Sequence, residues 1–203
     1  VFLSLLTMAI TSALGACVGL VSGFFRNRID DVLMRICDVM MSFPSEVMIL
    51  AIVGMTGPGL ENVVIANVVA KWPWYARMVR SIVRQYSDKD YIRFAKVAGG
   101  SSIRIMMRHL LPGTAGELFV LTTLDTGSVI LMISALSFLG LGVQPPTPEW
   151  GMMLNEAKEV MTLYPLQMIP AGMAILLVVA AFNFLGDSLR DAFDPKHAGR
   201  ERS

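Results

Sequence analysis

An acid inside an apolar run is the first place to look for chemistry, and Asp125 is one, set in Thr123-Leu124-Asp125-Thr126-Gly127 within a long hydrophobic stretch. A carboxylate at the centre of a bilayer costs at least ~2.5 kcal/mol on insertion scales, so such a residue is either functional or half of a buried pair. Thr122 and Met132 share its helical face, a weakly polar stripe suited equally to passing a cation and to holding helices together. Glu46, two residues past Pro44, and Glu61, just after Gly59, lie near the ends of apolar runs, where a helix cap or an interfacial role accounts for them. Fifteen Met residues invite a metal reading, but Met is ordinary filler in apolar cores, and no His-x-His, Cys-rich or carboxylate cluster accompanies them. His109 beside basic residues and His197 near the end do not read as ligands, and Cys17 and Cys37 read as inert thiols rather than a disulfide framework. There is no phosphate-binding glycine loop of the G-x-x-x-x-G-K-[ST] type, and no metal site or catalytic residue is expected.

The second stretch of interest is Arg77 to Pro112, which places eight Lys/Arg residues between apolar runs and contains Gly99-Gly100 and Leu111-Pro112. Arg77, Arg80 and Arg84 share one helical face, which is expected to meet anionic lipid or protein. Asp88 to Ala98 reads as a short helix, with Ser87 or Asp88 as its cap and Tyr91, Phe94, Ala95 and Ala98 on one side. The glycine pair stops it. Ser101 to Leu111 reads as a second short helix, with Ile103, Met106, Met107, Leu110 and Leu111 toward the membrane and Arg104 and Arg108 toward water, before Pro112 starts a new span. A glycine joint that weakens helices on both sides makes sense where the chain must bend sharply.

The elements that would position these residues follow from hydropathy. Apolar residues make up 54% of the 203, charged ones 16%, and the mean hydropathy is +0.59, the profile of a membrane protein. A bilayer core of ~30 Å needs ~20 helical residues, and five runs approach this: Val1 to Phe25, Met40 to Gly57, Leu60 to Met78, Thr114 to Ser137 and Leu166 to Asp187. The expected fold is therefore all-α, a polytopic transmembrane helical bundle forming one domain over 1–203. Of the 17 Lys/Arg, all but Lys71 and Lys158 fall on one side of this alternating topology, which makes 88–112 and the tail 190–203 cytoplasmic and 138–164 external. A start in the cytoplasm would then require one further span ahead of Val1. The external segment carries Gln144-Pro145-Pro146-Thr147-Pro148 and then, from Gly151 to Met161, an amphipathic pattern expected to lie as a short helix at the membrane surface, with Trp150 at the interface.

These residues resemble the permease subunits of ATP-binding-cassette importers. The cytoplasmic signature of that family runs Glu-Ala-Ala, three residues, Gly, nine residues, Ile, one residue, Leu-Pro. The matching positions are Arg93-Phe94-Ala95, Gly99, His109 and Leu111-Pro112, so the Gly, the Leu-Pro and one Ala agree while the Glu, the first Ala and the Ile are replaced. Arg108-His109-Leu110-Leu111-Pro112 is similar to the peptide/nickel branch, as are Ser137 to Val143 with Pro145 to Gly151, and Gly186 to Asp191 with Asp194-Pro195. Trp72 to Ser81 and Thr123 to Gly127 resemble the nickel type within that branch.

The resemblance implies six spans in a whole subunit and a helix that couples to a cytoplasmic ATPase. On it, Tyr91, Phe94 and Ala95 would be docking residues, Gly99 and Gly100 the joint, and Arg93 and Lys96 rim charges, with His109, Leu111 and Pro112 completing the signature. It further implies a homologous second permease, two ATPases that hold ATP and Mg, an external binding protein and a bacterial inner membrane. This chain would hold no cofactor of its own and would be no enzyme. Nickel, free or chelated, is the first substrate expected, with a di- or oligopeptide as the alternative. Outside the family, a secondary transporter or membrane-embedded enzyme would use Asp125 with Glu117.

Overall fold

The computed structural model describes residues 1–193. The His197 position, the Asp194-Pro195 pair and most of the expected tail lie outside the described residues. Within them the chain is all-helical: α1 (Phe2–Phe25), α2 (Arg28–Met41), α3 (Ser45–Thr56), α4 (Leu60–Ser87), α5 (Asp90–Val97), α6 (Ser102–Ile105), α7 (Leu111–Phe138), α8 (Trp150–Glu159) and α9 (Met168–Phe193). α9 keeps Arg190 helical, at the point where a tail is expected to begin.

Among the described residues three stretches are long and apolar enough to cross a membrane, Phe2–Phe25, Ser102–Phe138 and Pro165–Phe193, with a fourth if α2 and α3 count as one broken span. They coincide with the first, fourth and fifth expected spans. The second and third fail the same test for different reasons. α3 has 12 residues, about 18 Å at 1.5 Å per residue, well short of a ~30 Å core. α4 has 28 residues and length to spare, but it carries Glu61, Lys71, Arg77, Arg80 and Arg84 and runs on through Pro73.

The chain divides into two compact units. One comprises Ala9–Pro44 and Lys71–Phe119. Its core is Ala16 and Leu20 of α1, Val79 and Val83 of α4, Ile92 of α5, Ile105 of α6 and Leu110, flanked by Phe24, Tyr86, Ala95, Met106, Leu111 and Leu118. α1 approaches α4 closely because Gly15, Gly19 and Gly23 recur every fourth residue and so line one face. A Cβ on Gly19 would stand 2.6 Å from the Ala76 carbonyl and 2.7 Å from Val79 Cβ. α2 starts at Asn27, whose side chain accepts from the Ile29 amide at 3.0 Å, with Asp30 and Asp31 in its first turn where the helix dipole favours acids.

The other unit comprises Val1–Met8, Ser45–Ala70 and the chain from Val120 onward. In it α7 and α9 meet at small residues: Gly127 lies against Val179 and Asn183, and Gly186 against Leu124. α8 folds back on the end of α7. Glu149 caps it, accepting from the Met152 amide at 3.0 Å and from the Ser134 hydroxyl at 2.9 Å, while Asn155 donates to the Phe138 carbonyl. Lys158 stands 5.4 Å above the Phe138 ring.

Candidate functional site

The segment from Ser87 to Pro112 forms a knuckle of two short helices carried by the long ones. α5 ends as expected at the glycine pair. The Gly99 amide reaches the Lys96 carbonyl at 3.1 Å and the Gly100 amide reaches Ala95 at 3.0 Å, the paired bonds of a Schellman cap. That cap requires a left-handed residue, and Gly99 has φ 78°. Gly100 is fixed by space instead, because a Cβ there would lie 2.8 Å from the Ala95 carbonyl oxygen.

The start of α5 differs from expectation. Its N-cap is Lys89, with no side-chain cap bond, whereas Ser87 is buried with its hydroxyl unpartnered and Asp88 binds Arg26. Arg26 donates to both Asp88 oxygens, at 3.0 and 3.1 Å, and to the Arg84 carbonyl at 2.8 Å. That guanidinium holds the Asp88 carboxyl below the usual carboxylate range.

The second short helix also departs from its expected form. Ser101 caps α6, but the helix does not stop at Pro112: it widens to a π-turn over Met106–Leu110 and continues into α7. Pro112 cannot donate to the Arg108 carbonyl and its ring crowds that carbonyl, so the extra residue in the turn relieves the clash, with the Leu111 amide bonding Met106. Ile105 and Leu110 lie in the core, while Ile103 and Met107, two of the residues expected toward the membrane, are exposed.

Of the expected docking residues, Tyr91 and Phe94 are exposed, Phe94 at 74%, and Val97 and Ile103 join them as exposed apolar tips. Ala95 instead packs partly against the core. Arg93, Lys96, Arg104 and Arg108 stand exposed around these tips, and Lys96 lies 4.9 Å over the Phe24 ring. His109 is half-buried with its ring 6.4 Å from that of Tyr91, Leu111 flanks the core, and Pro112 is exposed.

The arginine face of α4 is paired with the acids of α2, although the Arg77 side chain remains 44% exposed. Arg80 donates to Asp30 of α2 through Nε at 2.5 Å and Nη2 at 2.8 Å, Arg84 also donates to Asp30, and Arg77 pairs with Asp38. Ser22 of α1 donates to the same Asp30 carboxylate, which is 2% exposed. Sequence reasoning missed these acids. The available signal was a second charge ladder, Asp30 and Asp38, at a spacing close to that of Arg77 and Arg84.

In the other unit Asp125, Thr122 and Met132 are all half-buried along α7, as one shared face requires. No group of three or more His, Cys, Asp or Glu able to hold a metal occurs among the described residues.

A chain of long apolar helices with a basic, glycine-jointed knuckle seated on its core has the build of a helical membrane protein. A family model for the inner membrane component of binding-protein-dependent transport systems matches residues 15–198, and the chain belongs to that family. The relatives it matches are permease proteins of transport systems. It is 44% identical over 174 residues to the metal-staphylopine import system permease protein CntC of Staphylococcus aureus, covering 86% of this chain and 60% of that protein. It is 41% identical over 182 residues to the nickel transport system permease protein NikC of Escherichia coli K12, covering 90% of this chain and 66% of the relative. The glutathione transport system permease protein GsiD of Escherichia coli is 44% identical over 190 residues, covering 94% and 63%. The chain thus spans less than two thirds of the length of these relatives.

Proposed function

We propose that this chain forms half of the translocation pathway of an ATP-binding-cassette importer for nickel, free or chelated, in a bacterial inner membrane. It pairs with a homologous second permease and receives solute from an external binding protein. Two cytoplasmic ATPases bind ATP and Mg and drive the cycle through the knuckle. The observation that carries this reading is the build of α5 and α6: apolar tips Tyr91, Phe94, Val97 and Ile103 stand exposed in a basic surround, while Ile92, Ile105 and Leu110 anchor the same segment to the long helices. Exposed aromatic and aliphatic anchors over a rigid base are what a docking element needs, because the backing carries displacement instead of absorbing it.

Asp125, with Thr122 and Met132, is the reading's candidate for the path, since a carboxylate on a span gives a passing cation a transient partner. Selectivity rests largely with the external binding protein, so weak contacts suffice here. A peptide cargo is the second reading, favoured by the resemblance to a glutathione permease at the same identity as to a metal-staphylopine one. A chelated metal satisfies both.

The test is uptake of radioactive nickel by cells lacking their own nickel importer and expressing this subunit with its partners, with excess dipeptide as competitor. Saturable, energy-dependent uptake that dipeptide leaves intact is expected; uptake of labelled peptide in place of nickel would move the chain to the peptide side. Phe94→Asp tests coupling in the same cells, because so exposed a residue is dispensable for folding. Uptake that survives this change would refute the docking assignment.

A further inference from the structure

α2 buries few of its residues fully, with Leu33, Met34, Met40 and Met41 only partly covered. Only Asp30 and Cys37 of its residues are buried, while Ile29, Val32, Ile36 and Val39 remain exposed along its length. Beside the more exposed Asp38–Arg77 pair, Asp30 therefore carries a large share of the attachment, and it does so through charge. Its carboxylate takes the Ser22 hydroxyl from α1, a two-point grip from Arg80 and a second guanidinium from Arg84, both of α4. Arg84 then leads on: its carbonyl accepts from Arg26, which also clasps both oxygens of Asp88. Asp88 stands in the two-residue link between α4 and α5, at the root of the knuckle.

Arg26 itself has φ 47°, a region that non-glycine residues seldom occupy, as the side chain that bridges α1 to this link. A continuous chain of charge-assisted bonds thus runs from α2 through α1 and α4 to the knuckle, in one unit of the fold.

A buried ion pair is poor evidence of stability, because apolar residues of the same volume often hold as well; what it does supply is register and orientation. Two-point guanidinium–carboxylate contacts are directional, and a slip of one helix turn would break them. We propose that Asp30 is a positioning residue for transport: it locks α1, α2 and the end of α4 into one body, so that displacement of the α5–α6 knuckle moves all three helices. The proposal rests on the importer reading above.

The experiment uses the complete importer in vesicles of Escherichia coli lipid, with nickel as probe. ATP hydrolysis is measured with and without the binding protein, together with nickel taken up per ATP. In Asp30→Asn the complex should assemble and hydrolyse ATP at the basal rate, while stimulation by the binding protein and nickel per ATP fall by about fivefold or more, the scale of ordinary coupling between sites. Asp30→Glu, which keeps two carboxylate oxygens, should restore part of the loss. Arg84→Gln, at a side chain that is 39% exposed, should show the same uncoupling in a milder form if Asp30→Asn yields too little protein. Full coupling in both variants, or a loss that merely follows the amount of assembled complex, would overturn the proposal. Wild-type vesicles that show neither stimulated hydrolysis nor nickel uptake would instead refute the nickel-importer reading beneath it.

Discussion

Replacing Gly19 by Ala adds one methyl group at the closest approach of α1 and α4. The new Cβ would lie 2.6 Å from the Ala76 carbonyl oxygen, 2.7 Å from Val79 Cβ and 2.9 Å from the Arg80 amide nitrogen. Carbon–carbon contacts are comfortable at about 3.5–4.0 Å, so the helices must part by about 1 Å here. No rotamer change relieves this, since two of the three neighbours are backbone and the third is the first side-chain carbon. Overpacking of this kind costs about 1–3 kcal/mol, against a gain of about 0.8–1.0 kcal/mol from the better helix propensity of Ala.

Gly54 of α3 supplies the comparison. It has nothing within 4 Å of its would-be Cβ, so Gly54→Ala takes the propensity gain alone. The two variants should differ by the overpacking term, about 1–3 kcal/mol, or about 2–12 °C in Tm at ~2–4 °C per kcal/mol for a chain this long. Thermal unfolding of the detergent-solubilised protein, followed by the loss of its monodisperse size-exclusion peak, reads this difference directly. Gly19→Ala melting at or above Gly54→Ala would show that the glycine stripe is not a packing requirement.

Glu149→Ala removes the cap of α8 and leaves the buried Ser134 hydroxyl without its acceptor, a combined loss of about 2 kcal/mol. Hydrogen exchange of the Trp150–Glu159 amides should quicken by about tenfold or more, and Glu149→Gln, which keeps an acceptor oxygen, should lie between; unchanged exchange in Glu149→Ala would mean that α8 is held by other contacts. Asp125→Asn preserves size and removes charge, so it should lower nickel uptake by about tenfold, and unchanged uptake would reduce Asp125 to helix packing.

The long helices were legible because hydropathy needs no partner to be read. α1, α7 and α9 are apolar over enough residues that any low-dielectric environment favours the same helical solution. α5 and its glycine stop were legible for a similar reason, since a left-handed cap is a local requirement that Gly99 meets by itself. Errors arose where a local rule met a tertiary one. Pro112 is a helix breaker by its own chemistry, but Leu110 before it and Leu118 after it both pack on one core. Burying both keeps one helix running, and the π-turn absorbs the misfit. α4 runs unbroken to Ser87, past the end of its apolar run at Met78, and its arginines are paired with acids of another helix.

The arginine face illustrates what a one-helix reading omits. Arg77, Arg80 and Arg84 on a single face look like an anion-seeking surface if α4 is considered alone. Asp30 and Asp38 are eight residues apart, about 12 Å along a helix, and Arg77 and Arg84 are seven apart, about 10.5 Å, so two antiparallel helices can satisfy both ladders at once. The observed pairs have that antiparallel order, Asp30 with Arg84 and Asp38 with Arg77. Their consequence extends to the count of positive charge on which topology was argued. Orientation follows the number of Lys and Arg rather than net charge, so pairing with aspartate leaves that argument intact. Docking is different, because a paired arginine is no longer offered to a partner. The cations that remain exposed on the knuckle are Lys89, Arg93, Lys96, Arg104 and Arg108, and the acidic groups of a proposed docking partner must be sought opposite these five.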